Sequence, residues 1–221
     1  MSAPGAGRAP AAGGGWTGYL AGQSLEGFLD FLALHGPLVR ECLAPAPRRF
    51  VEVGCGGANL AIFLALLGVE ATGLDIEPGV IAEAARHAES LRARVDLRVA
   101  DGFATGEADG AYDVAASQGV LEHFDDDAIE RFLAESIRIA RRTVASMPNA
   151  NYPVCDFGNE RLMPLRFWRE RAEAAVRRAG VRARVEAFDY RRRFDLRHPV
   201  NSVLNLALRR CYFTLVVIDR A

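Results

Sequence analysis

The chain has 221 residues, half of them hydrophobic and a quarter charged, with a formal net charge of −1. That composition supports a globular fold with a substantial core and excludes a collagen-like or low-complexity chain, and no apolar run is long enough to span a bilayer. The near-neutral total also weighs against a protein built mainly to bind nucleic acid.

Residues 1–15 are nearly all Ala, Gly and Pro and lack the charged-then-apolar order of a signal peptide, so a disordered tail is expected. Residues 16–45 are expected to form a helical cap. From Gln23 to Cys42, Leu25, Phe28, Leu29, Leu32 and Leu34 recur at roughly helical spacing, with a break at Gly36-Pro37. Arg49 to Val53 reads as a strand that runs into Gly54-Cys55-Gly56-Gly57. Asn59 to Leu67 follows as a helix and Glu70 to Leu74 as a second strand, which sets the glycines inside a βαβ unit. Glycines after a strand let backbone approach a nucleotide closely. The dinucleotide fingerprint G-x-G-x-x-G/A has Asn59 at its last position here, which argues against hydride chemistry.

Pro78 opens the next helix, Val80 to Leu91. Val95 to Val99 alternates as a third strand, Ala111 to Ala116 is a fourth, and Asp126 to Arg141 is a helix with acids at its positive end. Thr143 to Met147 is a fifth strand, and Pro164 to Ala179 a helix stopped by Gly180. Val181 to Phe188 and Tyr212 to Asp219 are two further strands with no comparable helix between them. Five alternations of strand and helix imply an α/β, doubly wound, Rossmann-like sheet of seven mostly parallel strands, with an antiparallel last strand and amino-terminal cap helices. Residues 16–221 are expected to form one domain.

In such a sheet, ligands lie beyond the carboxyl ends of the strands. Asp75 follows the second strand, Ala100-Asp101-Gly102-Phe103 the third, and Ser117-Gln118-Gly119-Val120-Leu121-Glu122-His123 the fourth. Over about residues 49 to 149 these motifs resemble class I S-adenosylmethionine-dependent methyltransferases of the small-molecule type. The resemblance implies S-adenosylmethionine as cofactor and S-adenosylhomocysteine as product. It places Glu52, Gly54, Cys55, Gly56 and Gln118 near the methionine part, Asp75 on the ribose, Ile76 beside the adenine, and Asp101, Gly102 and Phe103 around the adenine. Ala58 stands where the family commonly has glycine.

Methyl transfer from a sulfonium needs the acceptor held in line, and a base only where the acceptor is protonated. His123 is the candidate base and Glu122 the next. The Val120-Leu121-Glu122-His123 run also resembles quinone and small-RNA methyltransferases that use E-x-x-E-H as metal ligands. Gly119 replaces the first of those acids and residues 147–152 supply no His, so no metal is expected. Substrate contacts are expected from Tyr19, from residues 149–163 with Asn149, Tyr152 and Arg161, and from residues 194–207.

The expected activity is methyl transfer to an O or N atom of a small molecule. An RNA methyltransferase and a catalytically silent cofactor-binding partner are the alternatives. Residues 161–221 hold fifteen Arg against six Asp or Glu, and residues 1–160 twelve against twenty-two. Either that basic third faces an anionic partner, or the two segments interleave in space and cancel. Cys42, Cys55, Cys155 and Cys211 follow no C-x-x-C spacing, which points to a reducing, cytoplasmic setting. A homodimer stays open, and no membrane partner is expected.

Overall fold

The computed structural model describes residues 23–153, 158–190, 203 and 211–221. Tyr19, the tail over residues 1–15 and the expected loop at 194–207 (apart from residue 203) lie outside them. Within the span expected to form the cap, the described residues hold two helices, α1 (Leu25–Leu34) and α2 (Gly36–Leu43), which meet at His35. Ser24 caps α1 by accepting from Gly27 N at 3.1 Å. Pro37 falls in the first turn of α2, where its missing N–H costs nothing, so the break comes one residue before Gly36.

There follow β1 (Arg49–Val53), α3 (Asn59–Leu66), β2 (Glu70–Asp75), α4 (Pro78–Ser90), β3 (Asp96–Val99), β4 (Tyr112–Gln118), a 3-10 turn (Leu121–His123) and α5 (Asp126–Ile139). The rest are β5 (Ala140–Pro148), α6 (Leu165–Ala179), β6 (Ala183–Tyr190) and β7 (Phe213–Arg220). The strands form one seven-stranded sheet in the order β3-β2-β1-β4-β5-β7-β6. β1 to β5 pair in parallel, and β7 pairs antiparallel with both β5 and β6. The antiparallel last strand expected from the pattern is therefore present.

Most element boundaries differ from the reading of the sequence by one to three residues, two of them at the ends of α5 and β4. α5 ends at Ile139 instead of Arg141, because Ala140 is already extended and pairs with Tyr112 of β4. Ser117 and Gln118, expected after the fourth strand, are its last two residues and pair with Ala145 and Ser146.

Alternation along the strands sends Phe50, Val114, Ala116, Val144, Leu215 and Val217 to the face covered by α1 to α4. Val51, Val53, Ala115, Ala145, Met147, Val216 and Ile218 face α5 and α6. α3 is apolar on every side because it lies between the sheet and α1. The Arg-rich α6 packs on acidic α5. Arg171 reaches Glu130 at 2.8 Å and Asp126 at 3.1 Å, and Arg178 reaches Asp127 at 2.8 Å. Among the described residues, Arg161, Arg171 and Arg178 of the basic segment thus pair with acids of the earlier one.

Candidate active site

Because β1 to β5 are parallel, their carboxyl ends gather along one edge of the sheet. After β1, Gly54 (φ 68) and Gly56 (φ 51) adopt left-handed backbone, and Ala58 (φ 56) does so just before α3. Glycine reaches that region without cost, while the buried Ala58 gives up about 1 kcal/mol there. A Cβ on Gly54 would stand 2.7 Å from Val120 Cγ2, so the turn also needs glycine for its packing against the segment after β4. Ala58 offers α3 no side-chain cap. Instead Glu52 accepts from Ala61 N at 2.9 Å. Burial pushes the Glu52 carboxyl up to about 8.

Asp75 joins the ends of β1 and β2. Its Oδ2 accepts from Gly56 N and its Oδ1 from Glu77 N, both at 3.1 Å. Burial raises its pKa, and those same backbone donors oppose the shift. Ile76 beside it is 62% exposed, an unusual place for a large aliphatic side chain unless something covers it. After β3, Asp101 accepts from Phe103 N at 2.9 Å in a tight turn. Gly102 lies under the ring of Phe132, where a Cβ would come within 2.5 Å of Cε2. The Phe103 ring packs with Phe124 and Phe132, at centroid distances of 5.1 and 5.8 Å.

Gln118 closes β4, and Gly119 (φ 71) turns the chain into the 3-10 segment. His123 Nδ1 lies 2.9 Å from Asn159 Oδ1, the arrangement in which Nδ1 donates. Desolvation lowers the His123 pKa, so the ring is neutral near physiological pH. Glu122 is 3% exposed and its Oε2 has no hydrogen-bond partner among the described residues. Burial, reinforced by Glu160, pushes this carboxyl up to about 8.

The expected substrate residues after β5 have structural partners. Asn149, 1% exposed, accepts from Asn151 N at 3.0 Å, and its own N–H donates to Tyr212 O. Tyr152 packs against Phe213 at a centroid distance of 5.4 Å. Arg161 donates to Phe124 O at 2.8 Å and to Asp126 Oδ1 at 2.6 Å, with its guanidinium over the Phe167 ring. The Cys55 side chain is buried next to Gly73 and belongs to the core.

Two residues near the glycine turn have no signal in the sequence. His87 of α4 is buried and holds Gly57 O at 2.9 Å through Nδ1, and the Gln23 amide lies directly over Gly57. His87 reads in the sequence as one more residue of an amphipathic helix; only tertiary packing shows its contact.

A parallel sheet with an antiparallel β7 between β5 and β6, a glycine turn after β1 and acids after β2 and β3 define the class I S-adenosylmethionine-dependent methyltransferase fold. Residues 50–143 match the family model described as a methyltransferase domain. It is 36% identical over 78 residues to a ubiquinone biosynthesis O-methyltransferase of Azorhizobium caulinodans, which covers 35% of this chain and 31% of that protein. It is 31% identical over 97 residues to ajmaline N-methyltransferase of Rauvolfia serpentina, covering 42% of this chain and 33% of that one. The matched stretch spans about a third of the length of these relatives. Among solved structures, magnesium protoporphyrin IX methyltransferase from Synechocystis, with bound S-adenosylhomocysteine, superposes with a TM-score of 0.60 at 15% identity, over 87% of this chain and 84% of that one. No helix among the described residues is long and apolar enough to cross a membrane.

Proposed function

We propose that this chain transfers the methyl group of S-adenosylmethionine to an oxygen or nitrogen of a small molecule. The carrying observation is the bond from Gly56 N to Asp75, which brings the glycine turn and a carboxylate together at the open ends of β1 and β2. The donor set suits the cofactor. Asp75 and Asp101 offer acceptor oxygens for ribose hydroxyls and an adenine amino group, and exposed Ile76 offers an apolar face for the ring. The turns 54–58, 75–77, 101–104 and 118–124 contain no arginine, which suits a cationic sulfonium better than a pyrophosphate.

When bound, the cofactor supplies a methyl group already activated on a positively charged sulfur. The chain's own residues then have to bind, orient and desolvate. In this reading Gly54, Gly56 and Gln118 hold the methionine part, Asp75 the ribose, and Asp101, Gly102 and the Phe103 backbone the adenine. Glu52 and Cys55 act by fixing the turn. Neutral His123 is suited to accept a proton from the acceptor, while Glu122 holds its own proton near neutral pH and is no base there. Asn149 and Arg161 brace the loop that frames the acceptor, and Tyr152 contributes an aromatic wall.

The paired arginines of α6 support a small molecule over RNA, and the buried thiols of Cys42 and Cys55 support a reducing cytoplasm. The test is incubation of the protein with methyl-labelled cofactor and either a metabolite extract or total RNA from the source cells. Label in a small molecule is expected. Label in RNA alone supports the RNA enzyme, and label in neither, with cofactor bound, supports a silent partner protein.

A further inference from the structure

We infer that His87 and Gln23 are positioning residues for the methyl donor: they hold the Gly57–Ala58 peptide from two sides and keep a strained turn in the shape the donor needs. The inference rests on the proposed function, which places the donor on this same glycine turn. The action of both residues runs through the backbone of residues 56–58. That peptide is held at both of its ends. Gly57 O lies 2.9 Å from His87 Nδ1, and Ala58 N donates to Cys55 O at 2.7 Å. A carbonyl oxygen only accepts, so Nδ1 is the donor. His87 is 3% exposed, and its Nε2 has no hydrogen-bond partner among the described residues. The bond to Gly57 is thus the polar contact this buried ring makes.

Ala58 gives the reason such a bond is needed. Its backbone is left-handed (φ 56), a region that residues with a Cβ disfavour and glycine enters freely. Rotation of the Gly57–Ala58 peptide plane would let Ala58 relax. The same rotation would shift Gly57 and with it Gly56 N, which donates to Asp75 Oδ2 at 3.1 Å. Anchoring Gly57 O on His87 removes that freedom, so the bond that joins the glycine turn to the ribose-binding carboxylate of the proposed site stays in register.

Gln23 closes the other side. Gly57 is buried but, unlike Gly54 and Gly56, has no positive φ, so its backbone conformation does not call for glycine. A Cβ there would stand 2.7 Å from Gln23 Cδ and closer still to Nε2. The missing side chain therefore serves the close approach of the Gln23 amide. Helix α1 ties the two contacts together. Gln23 directly precedes the Ser24 cap of α1, and Phe28, the buried residue of that helix, meets the His87 ring edge-on at a centroid distance of 5.8 Å. The amino-terminal cap thus braces the turn directly through Gln23 and indirectly through His87.

The test is S-adenosylhomocysteine binding to the full chain by calorimetry, with urea unfolding alongside to report the fold. His87→Phe keeps a buried ring and removes the donor, and affinity is expected to fall about tenfold. His87→Asn supplies an amide N–H near the place of Nδ1 and is expected to restore binding. Ala58→Gly added to His87→Phe is expected to regain most of the lost affinity, because glycine holds left-handed backbone unaided; a ring that served packing alone would not be rescued from position 58. Gly57→Ala, whose methyl displaces the movable Gln23 amide, is expected to keep the unfolding midpoint and to weaken binding about threefold to tenfold. This arm stands whether or not His87→Phe folds. Wild-type affinity in His87→Phe or in Gly57→Ala, or a His87→Phe loss that Ala58→Gly leaves in place, overturns the inference. A wild-type chain that binds no S-adenosylhomocysteine overturns instead the cofactor reading beneath it.

Discussion

Replacing Glu122 by Gln keeps the side chain's volume and removes its titration. In the unfolded chain this carboxyl ionises near its ordinary 4.5, whereas burial and Glu160 hold the proton up to about 8 in the fold. Between those values the folded state binds the additional proton. Stability is therefore full below the unfolded value and falls as pH rises through the window until the folded carboxyl ionises. The buried charge is then worth about 3–5 kcal/mol against the fold. Glu52, also raised to about 8, titrates equally in both proteins and drops out of the difference. Urea unfolding of wild type and Glu122→Gln at a series of pH values is the assay, with the difference in unfolding free energy plotted against pH. The variant should gain on wild type by that amount from acid to alkaline pH. A flat difference would refute the reasoning, because Glu122 would then ionise at its ordinary value and could not be a buried proton holder.

Gly102→Ala should destabilise by about 1–3 kcal/mol in chemical denaturation, since the added methyl meets the buried Phe132 ring at 2.5 Å and Val53 Cγ1 at 3.2 Å. Asp113 accepts from both Arg48 N and Arg49 N, which holds its pKa below the usual range. Wild type should therefore lose that increment of stability as pH falls through the carboxylate range, and Asp113→Asn should flatten this acid limb of the pH–stability curve. Arg161→Gln should open residues 158–163 to faster proteolysis and cost about 1–3 kcal/mol, because the guanidinium links Phe124 O and Asp126. Unchanged proteolysis would return Arg161 to a direct role with substrate.

Much of the sheet can be read along the chain because the signals are local. The run from Arg49 into Gly54-Cys55-Gly56 marks β1 and its turn, Pro78 falls at the start of α4, and Gly180 (φ 66) ends α6 in left-handed backbone. The end of α5 is less legible: Ala140 and Arg141 would extend the helix by propensity, but pairing of Ala140 with Tyr112 and of Arg142 with Val114 makes this stretch strand. Arg142 is then held by Glu41 and Asp219, partners 101 and 77 residues away. Contacts over such separations leave no periodic trace. For the same reason Asp75, adjacent to its strand end, stands out, while the Tyr190–His35 pair, 155 residues apart, does not. Asn149 and Arg161 have the chemistry of ligand contacts, yet burial and intramolecular partners decide how they are used.

The cofactor site is tested most directly by titrating S-adenosylhomocysteine, and separately NAD, into the wild-type chain and into Asp75→Ala by isothermal calorimetry. Wild type should bind S-adenosylhomocysteine and give no heat with NAD, and the substitution should weaken binding by about tenfold to a hundredfold through loss of a charged acceptor. Binding of NAD in preference, or an affinity for S-adenosylhomocysteine that Asp75→Ala leaves unchanged, would contradict a methyl-donor site at the ends of β1 and β2.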